Sequence, residues 1–154
     1  MQIPKVSVLV LSIIFFITAL ASPAFAKTID LSYGTIEIPD DFVFTQTGTT
    51  DSFMGTLVRK SDNFVITFDI GIMAGTHMHE SKKGACTFFR HHTIGAFPAI
   101  TGIETIAGKR KIVTTTDYDP KTQRVPANFW AIIKKDSDIA DFLIIVASYK
   151  PNVK

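Results

Sequence analysis

The residues of this chain whose types could do chemistry crowd into one stretch, MAGTHMHESKKGACTFFRHH, Met73 to His92. All four histidines, the single cysteine and two of the four methionines lie there. His77 and His79 stand two apart, so in an extended segment their rings project to one side and could share an ion. His91 and His92 are adjacent, so on a strand only one of them can face such a site. By alternation, Cys86 and His92 share strand parity, with Phe88 and Arg90 between them. The set His77, His79, Cys86 and His92 offers imidazole and thiolate, donors that zinc and copper(II) accept. Met73 and Met78 add thioether sulfur, which copper(I) prefers. On the other side, the spacing follows no C-x-x-C or H-x-x-x-H pattern. Lys82 and Lys83 also bring like charge to any cation held there. The same residues read equally as an ordinary solvated loop.

Nucleophilic catalysis by Cys86 would need an activating histidine and an oxyanion hole. Histidines are close in sequence, yet GACTFF supplies no elbow turn. The chain contains no G-x-S-x-G, no phosphate-cradling glycine loop and no H-E-x-x-H. Asp69 is turned away from the core by alternation, and a catalytic carboxylate there would need a partner acid or base. No catalytic or cofactor-binding residue is therefore assigned. The reading that follows is a non-enzymatic binding or accessory protein, its partner an unidentified protein or small-molecule ligand. Zinc or copper binding through the loop His77–His92 is the alternative, and a hydrolase built on Cys86 or Asp69 a further one.

Residues 1–26 have the anatomy of a secretory leader: Lys5, the apolar run VSVLVLSIIFFITAL (Val6–Leu20), then ASPAFA with small residues at Ala24 and Ala26. The run is shorter than the ~20 residues of a membrane-spanning helix, and the expected cleavage follows Ala26. Residues 27–154 then form one small globular domain, periplasmic or secreted and not membrane-embedded. The whole chain carries 16 Lys and Arg against 14 Asp and Glu. With Lys5 in the leader, the remainder is close to neutral. That balance lacks the basic face that nucleic acid requires and the polybasic cluster of a membrane-surface protein. One cysteine precludes an internal disulfide, and there is no N-x-S/T sequon. These traits fit a protein of the bacterial envelope or exterior.

Turn signals punctuate short apolar runs, the pattern of a mainly antiparallel sheet. In FVITFDIG, Phe64, Ile66, Phe68 and Ile70 alternate with Val65, Thr67 and Asp69, which places the first set on the core face. FMGTLVR (53–59) pairs with it through the turn KSDN. TIDLS and TIEI pair around Tyr33-Gly34, and RKIVTTTDY pairs with NFWAIIKK across a polar connection, DPKTQRVP. Gly55 inside a strand signals a bulge or a close approach, and Gly71 and Gly75 turn the chain out of the sheet. Phe89, Phe97 and Trp130 are expected to be buried. In SDIADFLIIVASYKP, Ile144, Ile145 and Val146 suit a strand, but the signals at both ends predict a helix: Ser137 at the N-cap, Asp138 and Asp141 in the first turn, and Lys150-Pro151 as the stop. Its inward face is predicted to carry Ile139, Phe142, Leu143 and Val146. The expected fold class is α+β, a single domain with a C-terminal helix packed on one face of the sheet.

IEIPDDFVFTQTGTTDSFMGTLVRKSDNFVITFDIGIMAG contains IP-x-x-F, DS-x-x-G and DIG-x-x-AG. It resembles a family of small secreted bacterial proteins of unknown function, and PANFWAIIKKDSDIADFLIIVASYKP resembles that family's closing segment. The resemblance implies no catalytic residue. The layout, a sheet closed by a helix, is also loosely similar to PsbP/Mog1-like domains, which are mostly accessory and binding proteins.

Overall fold

Period-two alternation organises most of this chain. The computed structural model describes residues 25–48, 51–117 and 125–152. β1 (Phe25–Asp30) and β2 (Gly34–Pro39) form the first hairpin around Tyr33. β3 (Phe42–Gly48), β4 (Phe53–Arg59) and β5 (Val65–Ile70) form a meander. A loop with two short 3₁₀ turns, Ile72–Ala74 and Glu80–Ala85, then leads to β6 (Cys86–Ile94). β7 (Phe97–Ile106), β8 (Lys109–Thr116) and β9 (Ala127–Ile133) follow, then the helix α1 (Asp136–Ala147) and β10 (Lys150–Pro151). Among the described residues the strands make two antiparallel sheets, ordered β1-β2-β10 and β3-β4-β5-β9-β8-β7-β6. The domain is α+β, with the C-terminal helix packed against the sheets as its sequence predicts.

The expected pairings of residues 53–59 with 65–70, and of β8 with β9, are both present. The expected leader lies outside the described residues except at its end, where β1 begins at Phe25. Cleavage after Ala26 would remove only the irregular Phe25–Pro39 pairing; the regular register starts at Lys27–Ile38. Of the polar connection between β8 and β9, residues 118–124 also lie outside the described residues. Among the described residues no helix is long and apolar enough to cross a membrane.

The core lies between one face of the larger sheet, the β1-β2 hairpin and α1. Ile66, Phe68 and Ile70 are fully buried there with Phe129, Ile36, Ile38, Phe142 and Ile145. The rings of Phe44, Phe53 and Phe68 stack at 6.0–6.3 Å. Gly55 is a close approach: a Cβ there would sit 2.5 Å from Phe68 Cζ and 2.7 Å from the Thr45 carbonyl.

The helix start differs from the prediction. Its N-cap is Lys135, not Ser137. The Asp138 carboxylate accepts from the backbone N–H of Lys134 (2.9 Å) and of Lys135 (3.0 Å), the donors a helix start leaves open. Arg59 holds the same carboxylate from across the molecule at 2.6 Å. Asp138, Phe142, Ile145 and Val146 face inward, while Leu143 is 38% exposed. Ile139 is partly buried against the core. The run does end before Pro151, but Lys150 and Pro151 then pair with β2.

Candidate functional site

The ladders settle which residues share a face. Ile70, Ala127, Thr116, Ala99 and His92 lie in one cross-strand row, and Ile70 and Ala127 are fully buried in the core. Residues of opposite parity form the outer face. One row there runs Thr67, Trp130, Val113, Gly102 and Phe89. Another runs Ile132, Lys111, Glu104 and Cys86. A third carries Asp69, Asn128 and Thr115.

The histidine-bearing loop crosses this outer face. It leaves β5 at Gly71 (φ 153°) and turns again at Gly75 (φ 64°), both in the region that favours glycine. Buried Asn128 and Thr115 clasp it. Asn128 Nδ2 donates to the Ala74 and Gly75 carbonyls, each at 3.2 Å. Asn128 Oδ1 accepts from the His77 N–H (3.1 Å) and from the Thr115 hydroxyl (2.7 Å). Thr115 Oγ1 in turn accepts from the Met78 N–H at 3.0 Å. The Asn128 amide thereby uses its full hydrogen-bonding capacity. Met78 is driven onto the sheet and is fully buried, as is Val113 beneath the loop. The His77 ring lies 4.9 Å from the Trp130 ring, and Lys111 Nζ lies 5.9 Å from the same indole.

The four residues singled out for metal do not converge. His77 is half-buried on Trp130. His79 is exposed, its Nδ1 2.6 Å from Ser81 Oγ. Cys86 lies on the outer face, opposite Glu104. His92 lies on the core face, its Nε2 2.8 Å from Thr101 Oγ1, which contacts Thr114 Oγ1 at 2.6 Å. The expected shared parity of Cys86 and His92 is thus overturned. The β6–β7 register shifts between Cys86 and Phe88, and one extra residue in a strand exchanges the faces of everything beyond it. His91 Nε2 meets Glu80 Oε2 at 2.8 Å on the surface. Among the described residues no group of three or more His, Cys, Asp or Glu is placed to hold a metal ion.

No protein-family model matches the chain, and no curated protein matches it.

Electrostatics on this face centre on Glu104, which strand alternation alone did not single out. It is 8% exposed, with Lys82 Nζ at 3.8 Å and Lys111 Nζ at 3.9 Å. Its Oε1, like Asp69 Oδ1, is buried with no hydrogen-bond partner among the described residues. Burial pushes the Cys86 thiol up, Glu104 adds to this, and Lys82 opposes it. At neutral pH Cys86 is a protonated thiol, a poor nucleophile. Burial lowers the His77 imidazole and Lys111 and Lys82 lower it further, while Asp69 acts in the other direction. The sequence signal that could have marked this spot is Gly102 in mid-strand, since an interior glycine indicates that something approaches closely.

Beyond the clasped loop, no element among the described residues packs on the outer face. Val43, Met54, Val65 and Ile132 are 42%, 37%, 37% and 40% exposed. A shallow depression of about 260 Å³ lies among Val65, Thr67, Trp130, Ile132 and Lys134. Trp130 is half-buried there, as are Phe89 and Phe97 elsewhere, against the expectation of burial.

Proposed function

We propose that the chain is an exported, non-enzymatic binding or accessory domain of the bacterial envelope or exterior, and that it holds a protein partner on the bare part of its outer sheet face. One observation carries the reading. Val43, half-buried Val58 and Val65 are successive cross-strand partners, and Ile132 on β9 lines the same shallow depression as Val65. Ile72 and Met73, 70% and 72% exposed, present separate apolar surface at the opposite end of β5, where the loop leaves it. Contiguous exposed apolar surface on a small domain marks an interaction site. The leader sequence supports export, and the resemblance to small secreted bacterial proteins and PsbP/Mog1-like domains belongs to the same reading. The protonated, shielded thiol of Cys86 accords with a non-catalytic role.

The test compares the wild-type chain with a Val65→Asp/Ile132→Lys variant whose fold is verified by circular dichroism. Each is used to capture partners from envelope extract. The expected result is a saturable partner retained by the wild type and released by the variant. Equal retention by both, or turnover on a generic hydrolase substrate panel, would sink the reading.

A further inference from the structure

We propose that Met78 and Cys86 form a binding site for a soft monovalent metal ion, copper(I), seated between the clasped loop and Gly102. The argument starts from the glycine. Gly102 is an interior residue of β7, paired with Phe89 on one side and Val113 on the other. A Cβ there would meet Met78 Cε at 2.7 Å, Met78 Sδ at 2.8 Å and Cys86 Sγ at 3.1 Å. A thioether and a thiol therefore converge on the same point of the sheet, and the missing side chain makes the room they occupy. Met78 is fully buried although it belongs to a loop. The His77 and Met78 N–H groups donate to Asn128 Oδ1 and Thr115 Oγ1, which fixes the backbone around the methionine and so where its sulfur sits.

The chemistry selects the ion. Thioether and thiolate are soft donors, which favour copper(I) over harder divalent ions. Copper(I), with a closed d shell, accepts two or three ligands, so it does not require the group of three or more His, Cys, Asp or Glu that the described residues lack. Glu104 lies opposite Cys86 in the ladder, nine-tenths buried, and its Oε1 has no hydrogen-bond partner among the described residues. It is placed to serve as a third donor. Charge points the same way. When copper(I) binds, a Cu–S bond replaces the S–H bond and the proton leaves to solvent, so the net charge of the site does not change. A divalent ion would add one positive charge beside Lys82 and Lys111, which already flank Glu104. Because the thiol must lose its proton to bind copper(I), binding tightens as pH rises.

The test is an anaerobic titration of the reduced chain, purified after export, with copper(I) in competition with bicinchoninate. One copper per chain is expected, with a thiolate-to-copper ultraviolet band. Cys86→Ser should abolish binding, and Met78→Leu, which conserves the shape of the plug, should weaken it by about tenfold or more. The His77→Ala/His79→Ala variant should bind within about twofold of the wild type, because neither ring is placed at the two sulfurs. X-ray absorption of the wild-type complex should report sulfur as the dominant scatterer, which keeps the proposal decidable if Cys86→Ser does not fold. Unchanged affinity in Met78→Leu, loss of binding in the histidine variant, a nitrogen-dominated copper shell, or tighter binding of zinc than of copper(I) would each overturn it.

Discussion

Replacing Arg59 with methionine should expose how strongly the helix depends on one buried cation. Arg59 is 5% exposed at the end of β4. Its Nε and NH2 grip Asp62 at 2.8 and 2.7 Å, and NH2 also reaches Asp138 at 2.6 Å. NH1 bonds Asp141, and the guanidinium lies 4.9 Å from the Phe64 ring centroid. Asp138 is 1% exposed, so methionine would strand a buried carboxylate. Removing one partner of a buried pair costs about 3–5 kcal/mol. At about 2.1 cal/mol/K per residue over residues 27–154, that lowers Tm by about 11–19 °C. The same network governs the acid limb. The Arg59 hydrogen bond, then that of Lys135, holds Asp62 well below the usual carboxylate range. Burial raises Asp138, but the Lys134 N–H, Arg59 and the Lys135 N–H together outweigh it and leave it lowered. Carboxylates depressed in the folded state contribute stability that is complete above the unfolded value of ~3.9 and is lost as pH falls through the folded value. Wild-type Tm should therefore drop below about pH 4, and Arg59→Met should flatten that drop. Thermal melts at pH 7 and across the acid range measure both effects. Arg59→Met/Asp138→Asn should recover part of the loss, since the amide oxygen still caps the helix and leaves no buried charge. A Tm change under a few degrees with an unaltered acid limb would refute the reasoning.

Gly55→Ala should destabilise by about 1–3 kcal/mol, because the new methyl meets the Phe68 ring and the Thr45 carbonyl at 2.5 and 2.7 Å; urea melts would show it, and a neutral result would mean the strand shifts freely. His77 should titrate by NMR below its usual value of ~6.5, owing first to burial and then to Lys111. Because folding disfavours its imidazolium, stability should fall as pH drops through ~6.5 toward the folded value, and His77→Gln should remove that slope between pH 7.5 and 5.5. Asn128→Leu should cost about 1–3 kcal/mol by leaving the Ala74 and Gly75 carbonyls and the His77 N–H without their partner. Hydrogen exchange should then speed up at Met78 and not at Phe68, and uniform acceleration would instead indicate global loosening.

Sequence alone determined the elements whose signal is local. The alternation of Phe64, Ile66, Phe68 and Ile70 named a strand and its buried face, because a pleated backbone turns successive side chains to opposite sides. Turn residues placed the hairpins, and the acidic first turn at Asp138 and Asp141 with the Lys150-Pro151 stop named the helix. Gly55 was legible as a close approach, since a strand rarely gives up a side chain without cause. What tertiary structure decided depends on contacts between residues far apart in the chain. The bulge between Cys86 and Phe88 is a property of the pairing with β7, and it moved His92 to the core face while Cys86 stayed outside. The helix's inward face was set by packing on the core, where Asp138 also meets Arg59 from 79 residues earlier in the chain. The candidate site needed Gly102, Glu104, Thr115 and Asn128 from three different strands beneath one loop. Gly102 apart, each is unremarkable in its own segment, and only the register of the ladders sets them side by side.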